Sequence, residues 1–471
     1  MSQLASTMLR GLTSKHQPYP IYKDSGVEWL GDVPTDWRVI KLGFLATKIG
    51  SGKTPSGGAT VYVDEGITFL RSQNVYDDGL RLDDVVHITP DVDTEMAHSR
   101  VKPMDILINI TGASIGRTCI VPLGIGSANV NQHVCIIRLN KRELIRFVSW
   151  AVKAQSTKAQ IDNAQTGAAR EGLNFEQIAS LLLSLPPETE CEQISDFLDY
   201  ETARIDRLIA KLQRLLELLK EKRQAVISHA VTKGLNPNTP MKNSGIEWLG
   251  QVPEHWHLYR LKHLIVSMDQ GWSPQCDARQ AEEGEFGVMK VGCVNGGIFR
   301  SEEHKALPSE MAPKTEYRLK KQQLLVSRAN TRDLVGSAAV VDTDYDNLLL
   351  CDKLYRIDLI AAVKPKFVAL LLGTIAYRGQ IELSASGASD SMQNIGQSTI
   401  KELPIALPPT AEIDAILIYI EARLATQARL DNQLKLQIQH LHERRTALIS
   451  AAVTGKIDLR GWTQPAEEVA A

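Results

Sequence analysis

At 471 residues the chain is too long for one ordinary core, so two or more domains are expected. Its apolar fraction of 43% and charged fraction of 23% are those of a globular protein and exclude a disordered or fibrous chain. With 53 Lys and Arg against 55 Asp and Glu, the bulk positive charge of a typical nucleic-acid binder is missing; a DNA role needs cations gathered on one surface, or basic partners.

The opening MSQLASTMLRGLTSKHQPYP has no continuous apolar run, because Arg10 interrupts it, so no secretory signal is expected. No stretch reaches the roughly 18 apolar residues of a membrane span. Residues 25–42 read SGVEWLGDVPTDWRVIKL, and residues 244–261 answer with SGIEWLGQVPEHWHLYRL: ten of 18 positions are identical at an offset of 219. Trp29, Pro34 and Trp37 recur as Trp248, Pro253 and Trp256. Packing at a domain boundary is the preferred reading of these tryptophans over base stacking.

After each opening come short apolar runs broken by Gly, Asn and Asp. They are ITFLRSQNV, DILINITG and HVCIIRL in the first copy, and GVMKVGCV, QLLVSRAN and KLYRIDL in the second. These predict β-strands and turns, with helices near 142–156 and 364–377. IASLLLSLPPETE near 185 matches IKELPIALPPTAE near 407, and KRQAVISHAVTKG (222–234) matches RRTALISAAVTGK (444–456), both at offset 222. A shared frame with divergent filling suggests two readers of different targets on one scaffold.

Residues 188–231 and 410–453 lack Pro and Gly, and lie between a Pro-Pro pair and Gly234 or Gly455, which predicts two long helices. Ile205, Leu212, Leu219 and Val226 share one heptad position, with Leu208 and Leu215 at another; Leu434, Leu441 and Leu448 match the first set and Leu430 the second. About 42 residues give a helix of roughly 60 Å. An apolar stripe of that length needs a partner. An antiparallel pairing of the two helices supplies it and puts the globular parts at opposite ends; two helices each packed on its own domain is the alternative.

The ordered series SGVEWLGDVPTDW, GSGKTPSGG, FLRSQNV, TGASIGR, NVNQH, LPP, long helix and AVTKG resembles one target-recognition domain and helical spacer of a type I restriction–modification specificity subunit. The pair of copies resembles a complete subunit over nearly the whole chain. The resemblance implies an α+β fold: two mixed α/β target-recognition domains separated by two long helices in an antiparallel coiled coil, an internal repeat with a pseudo-two-fold. The expected segments are an N-terminal arm (1–33), recognition domain 1 (34–185), helical spacer 1 (186–234), a linker (235–252), recognition domain 2 (253–407), spacer 2 (408–456) and a tail (457–471). It further implies that each domain reads one half of an asymmetric bipartite site on double-stranded DNA. Two methylation subunits and restriction subunits would dock on a cytoplasmic, non-catalytic scaffold without membrane contact. S-adenosylmethionine, ATP and magnesium would belong to those partners, with no cofactor in this chain.

Base edges are read by Arg or Lys at guanine and by Asn or Gln at adenine. In the first domain the candidates are Lys53, Thr54, Arg71, Ser72, Gln73, Asn74, Thr111, Ser114, Arg117, Asn131, Gln132 and His133. In the second they are Lys290, Arg328, Asn330, Thr331, Arg332 and Lys353. The alternative for each is to cap a turn or bond neighbouring backbone. The loops TGAARE (166–171) and SGASDS (386–391) are open to phosphate contact or to a purely structural role, and the pairs Lys222-Arg223 and Arg444-Arg445 to contact with DNA phosphate or the methylation subunits, or to a solvated helix face.

GSGKTPSGG is not a phosphate-binding P-loop: position 47 is Thr rather than Gly, and Pro55 with Gly57-Gly58 prevents the helix that should follow. Cys119, Cys135, Cys191, Cys276, Cys293 and Cys351 are scattered without zinc spacing, so reduced thiols and no metal are expected. Asn236-Pro237-Asn238 lacks the second proline and the aromatic of a methyltransferase motif. A stand-alone methyltransferase or nuclease, and a protein adaptor with duplicated binding domains, are the competing readings. The recognition domains are near neutral, with 16 basic against 15 acidic residues in 34–185 and 18 against 19 in 253–407, so charge does not mark a DNA face.

Overall fold

A computed structural model describes residues 16–165, 172–389 and 392–465. The chain divides into two compact units: unit 1 comprises residues 1–213 and 435–471, and unit 2 comprises 214–434.

Both units are built on the same sheets. In unit 1 the strands Thr118–Ile120, Ile106–Asn109, Val134–Leu139 and Ala46–Ser51 lie side by side in that order, all antiparallel. Beside them Ile67–Leu70 pairs in parallel with Ala128–Val130 and antiparallel with Val86–Ile88. Unit 2 repeats the order with Ala338–Val340, Leu324–Ser327, Leu354–Leu359 and Ile265–Gln270. Its second sheet sets Gly287–Met289 parallel to Leu348–Leu349 and antiparallel to His304–Ala306. Strand Val134–Leu139 is apolar at five of its six positions and buried at the same five, as a central strand covered on both faces requires. Each globular part is closed by its first and last strands: Arg38–Lys41 pairs with Leu182–Leu185, and His257–Arg260 with Pro404–Leu407.

The helices expected near 142–156 and 364–377 are each two helices. Ile145–Lys153 ends at Ala154, which is extended (ψ 153), before Gln155–Gln165 begins. Pro365–Leu372 stops at Gly373, before Ile375–Ser384. In both pairs an apolar helix is followed by a more polar one, and after the break the second helix gives the core Ile161 in unit 1 and Tyr377 and Ile381 in unit 2.

The two long helices span Glu188–Lys233 and Thr410–Val453. Within unit 1 the start of the first lies against the end of the second: Arg445 Nε is 3.0 Å from Asp206 Oδ1, and Ile205, Ile209 and Leu448 share one core. Within unit 2 the Gln427 amide donates to the Leu219 carbonyl. The buried stripe corrects part of the expected seam. Leu208, Leu215 and Leu430 are 43%, 39% and 38% exposed, whereas Ile205 and Ile209 are buried and Leu212, Leu216 and Leu219 half-buried. The second seam position therefore falls one residue later, at Ile209 and Leu216, and on the other helix at Asp431 and Ile438. Adjacent apolar residues at 208/209 and 215/216 made the phase ambiguous, and Asp431, a charged seam residue, is invisible to an apolarity count. Arg445, read as a possible DNA or partner contact, is instead held by Asp206 and lies over Trp150 at 5.9 Å.

Each unit's core is organised by one tryptophan. Trp37 is fully buried against Phe147, and its indole N–H donates to Glu190 Oε1 (3.3 Å) in the first turn of the long helix. Trp256 packs on Phe367 and donates to Glu412 Oε1 (3.2 Å) in the same way. Trp248 also packs, edge-on to Tyr377 at 4.9 Å, while Trp29 is 39% exposed. The glycine ending the opposite helix closes on each tryptophan. A Cβ on Gly455 (φ +68) would sit 2.4 Å from Pro34 Cδ and 3.4 Å from Trp37; one on Gly234 (φ +78) would meet Glu412 at 3.0 Å and Trp256 at 3.5 Å.

Gly455→Ala combines a left-handed backbone with that clash and is expected to destabilise unit 1 by about 2–4 kcal/mol. Gly26→Ala (φ +68, with no atom within 4 Å) should cost only about 1 kcal/mol. Urea denaturation followed by tryptophan fluorescence separates the two; equal losses would contradict the packing argument.

Candidate nucleic-acid interface

In unit 1 three turns meet at neighbouring strand ends. Strand Ile67–Leu70 runs out through Arg71 into a 3-10 turn at Ser72–Asn74. Strand Ile106–Asn109 runs into a turn at Gly112–Ser114, with Gly112 (φ +73) and Gly116 (φ +81) supplying the left-handed steps. Strand Ala128–Val130 ends in the 131–133 turn. Asn109 is fully buried and its Nδ2 donates to the Ser72 carbonyl (2.8 Å) and to Ser114 Oγ (3.1 Å), joining the first two turns. The Ile110 N–H donates to the His133 carbonyl (3.0 Å), joining the second to the third.

Between them lies an open hollow of ≈ 440 Å³, and Ser72, Gln73, Thr111, Ser114, Arg117 and His133 line it. Half of the first domain's candidates thus come together. The Gln132 amide donates to His133 Nε2 (2.8 Å), which puts the ring proton on Nδ1, hydrogen-bonded to the Thr111 hydroxyl. Gln73 is hydrogen-bonded to Asp84, and Arg71 reaches the same residue, its NH2 donating to the Asp84 carbonyl at 2.9 Å. Tyr76, missing from the sequence expectations, also lines the hollow, with Arg81 and Arg117 guanidiniums 3.9 and 4.9 Å from its ring centre. Its signal was weak: one tyrosine after a turn reads as an ordinary strand residue.

Other candidates lie elsewhere. Asn74 is buried, accepting from the Arg71 N–H (2.9 Å) and donating to the Arg81 carbonyl (2.9 Å), so it fixes the turn and offers no edge to a base. Asn131 is 8% exposed and its Oδ1 accepts the His133 N–H (3.0 Å), again a turn-former. Lys53 and Thr54 are exposed in a loop that starts hard against the third turn: a Cβ on Gly52 would lie 1.6 Å from the Val130 carbonyl oxygen. No α-helix follows this loop, only a 3-10 turn at Gly58–Val61. TGAARE (166–171) lies outside the described residues; Ser386–Ser389 of SGASDS form a strand beside Met392–Asn394, and residues 390–391 lie outside.

Unit 2 carries a different set on the same frame. Lys290 is 3.7 Å from Glu303. Arg328 is half-buried; its N–H donates to the Lys353 carbonyl (2.8 Å) and its NH1 reaches the Asp352 carbonyl (3.5 Å). Asn330 Nδ2 donates to Asn295 Oδ1 (3.3 Å), and its own Oδ1 accepts the Thr331 N–H (2.9 Å). Thr331 and Arg332 are exposed and Lys353 half-buried. Asn295, like Tyr76, was not foreseen.

Among the described residues no cluster of three or more His, Cys, Asp or Glu could hold a metal, and no helix is long and apolar enough to cross a membrane. All six cysteines are unpaired, and burial pushes the Cys119, Cys135, Cys191 and Cys351 thiols up to about 12, so they stay protonated at neutral pH.

A family profile described as the type I restriction modification DNA specificity domain matches residues 34–218, a span that takes in the hollow and the start of the first long helix. The chain is 20% identical to the type I restriction enzyme EcoKI specificity subunit of Escherichia coli strain K12 over 436 residues, covering 91% of this chain and 90% of that protein. Over residues 34–218 the chain is thus similar to a type I specificity domain, and over most of its length to type I specificity subunits. It is also similar to the EcoEI specificity subunit of Escherichia coli, 28% identical over 239 residues, or 50% of this chain and 39% of the relative. The fold matches a chain solved in work on complex assembly and conformational transition of the type I R-M system. Its TM-score is 0.67 at 15% identity, covering 90% of this chain and 99% of the other.

In unit 1 the turn-formers and the exposed cations should separate cleanly in stability. Asn74→Ala, which strands buried backbone partners, is expected to lower unit 1 stability by about 2–3 kcal/mol. Lys53→Ala should change it by less than about 0.5 kcal/mol. Thermal unfolding of the two variants checks this; an unaffected Asn74→Ala protein would remove its structural assignment.

Proposed function

We propose that the chain is the sequence-reading, non-catalytic subunit of a type I restriction–modification complex in the cytoplasm. Each unit reads one half of an asymmetric, bipartite site on double-stranded DNA. The observation that carries this reading is the hollow of unit 1. It gathers an arginine, a glutamine, three serine or threonine hydroxyls, a tyrosine and an imidazole, on a frame that unit 2 repeats with different residues. A homodimer would read a palindrome; a fused pair with different linings reads two unlike half-sites.

The long helices pair as an antiparallel coiled coil that sets the gap between half-sites. Support comes from Arg445 against Asp206 in unit 1 and Gln427 against the Leu219 carbonyl in unit 2, contacts that join the start of each helix to the end of the other. The domain limits remain as proposed from the sequence, with readers at 34–185 and 253–407 and spacers at 186–234 and 408–456. Two methylation subunits and the restriction subunits dock on this scaffold. They bring S-adenosylmethionine, ATP and magnesium, and this chain uses no cofactor of its own.

The full chain mixed with its methylation subunit should retain selected sequences from a random duplex pool in a mobility-shift assay, with affinity falling steeply as salt rises. Replacing residues 253–407 by another reader should change one half of the selected site only. Retention without any sequence preference, or DNA methylation by the chain alone, would overturn the reading.

A further inference from the structure

Among the arginines of unit 1, one combines a place in the hollow with the lack of an ion pair among the described residues. Arg71, Arg81, Arg100, Arg138 and Arg146 each face a carboxylate: Asp84 at 3.8 Å, Asp78 at 3.3 Å, Asp93 at 2.7 Å, Asp105 at 2.7 Å and Asp199 at 2.5 Å. Arg117 lines the hollow, forms no ion pair among the described residues, and is held by the ring of Tyr76 at 4.9 Å. An aromatic face steadies a guanidinium through its π-cloud and leaves the planar fork of N–H donors unspent. A carboxylate would have consumed that fork.

The surroundings fit a base edge better than a phosphate. Arg117 is half-buried in a concavity whose walls are fixed by the Asn109 amide between Ser72 and Ser114. Lys53, exposed on its loop, is better placed for a phosphate, a contact that needs no fixed fork. Of the four bases, guanine presents two acceptors, O6 and N7, at the spacing of an arginine fork in the major groove.

Unit 2 lacks this device. The Arg81 N–H donates to the Asn74 carbonyl as the Arg300 N–H does to the Cys293 carbonyl, both at 2.9 Å, so Asn295 stands where Tyr76 does. The Asn109 N–H donates to the Arg117 carbonyl (2.9 Å) as the Ser327 N–H does to the Ser337 carbonyl (2.8 Å), so Ser337 stands in place of Arg117.

We propose that Arg117, propped on Tyr76, reads a guanine in the half-site bound by unit 1, by paired hydrogen bonds to O6 and N7. This rests on the chain being a DNA specificity subunit. Arg117 is the specificity-determining residue and Tyr76 a positioning residue.

The test is random-site selection with the full chain and its methylation subunit, comparing wild type, Arg117→Lys, Arg117→Gln, Tyr76→Phe and Tyr76→Leu. Wild type should require guanine at one position of one half-site. Both Arg117 variants should relax that position by about 10- to 100-fold while leaving the other half-site intact, which also reports that they are folded. Tyr76→Phe should keep the preference and Tyr76→Leu should weaken it. Uniform loss across all sequences, with a salt slope shallower by about one, would make Arg117 a phosphate contact and overturn the proposal. So would unchanged discrimination in the Arg117 variants. A wild-type complex that selects no sequence would instead bring down the underlying reading and this proposal together.

Discussion

A buried indole N–H donating to a carboxylate in the first turn of a long helix is the joint on which each unit is assembled. Glu190 and Glu412 occupy helix N-termini, where free N–H groups and the helix dipole favour a negative charge. Their second partners differ: the Tyr19 hydroxyl shares Glu190, and His255 meets Glu412 at 2.7 Å. Burial beside that carboxylate pushes the Tyr19 hydroxyl well above the usual phenol range, so it remains a donor. Removing either carboxylate would strand a buried indole donor, a penalty of about 1–3 kcal/mol. The same tryptophan receives the glycine that ends the opposite helix. Entering chain, helix start and helix end are thus locked at one point in each unit.

With the frame fixed there, the strand-end turns are free to differ. The four-stranded order and the parallel pair recur in both units, while Tyr76 and Arg117 give way to Asn295 and Ser337. Most arginines in residues 34–185 face a carboxylate, in keeping with the balanced charge of that segment.

Much of the frame was legible in the sequence. Rare residues at a constant offset exposed the duplication, and the absence of Pro and Gly between a Pro-Pro pair and a glycine located both long helices. Heptad phase was less legible, because Leu208 and Ile209 are both apolar and only packing chooses between them. The site was half legible. Polar residues after apolar runs pointed to the turns that line the hollow, but Asn74 and Asn131 look no different in sequence from Gln73 and Arg117. What separates them is whether the backbone of the turn claims the side chain, which depends on contacts such as that of Asn74 with Arg81. Tyr76 escaped because its importance lies in a neighbour 41 positions away, beyond the reach of any local pattern.

The division of the chain also bears on the order in which the parts fold. Unit 2 is one continuous stretch, 214–434, so its core can close as soon as that stretch exists. Unit 1 is discontinuous: its core includes Leu448, Ile449, Val453 and Ile457, and the Tyr22 hydroxyl donates to the Gly455 carbonyl across 433 positions. Closing such a span costs loop entropy before any contact rewards it. During synthesis, the first reader therefore waits, its apolar joint around Trp37 unsealed, while the second is already complete. The half of the protein made first is the half finished last, and chaperone protection should matter most for it.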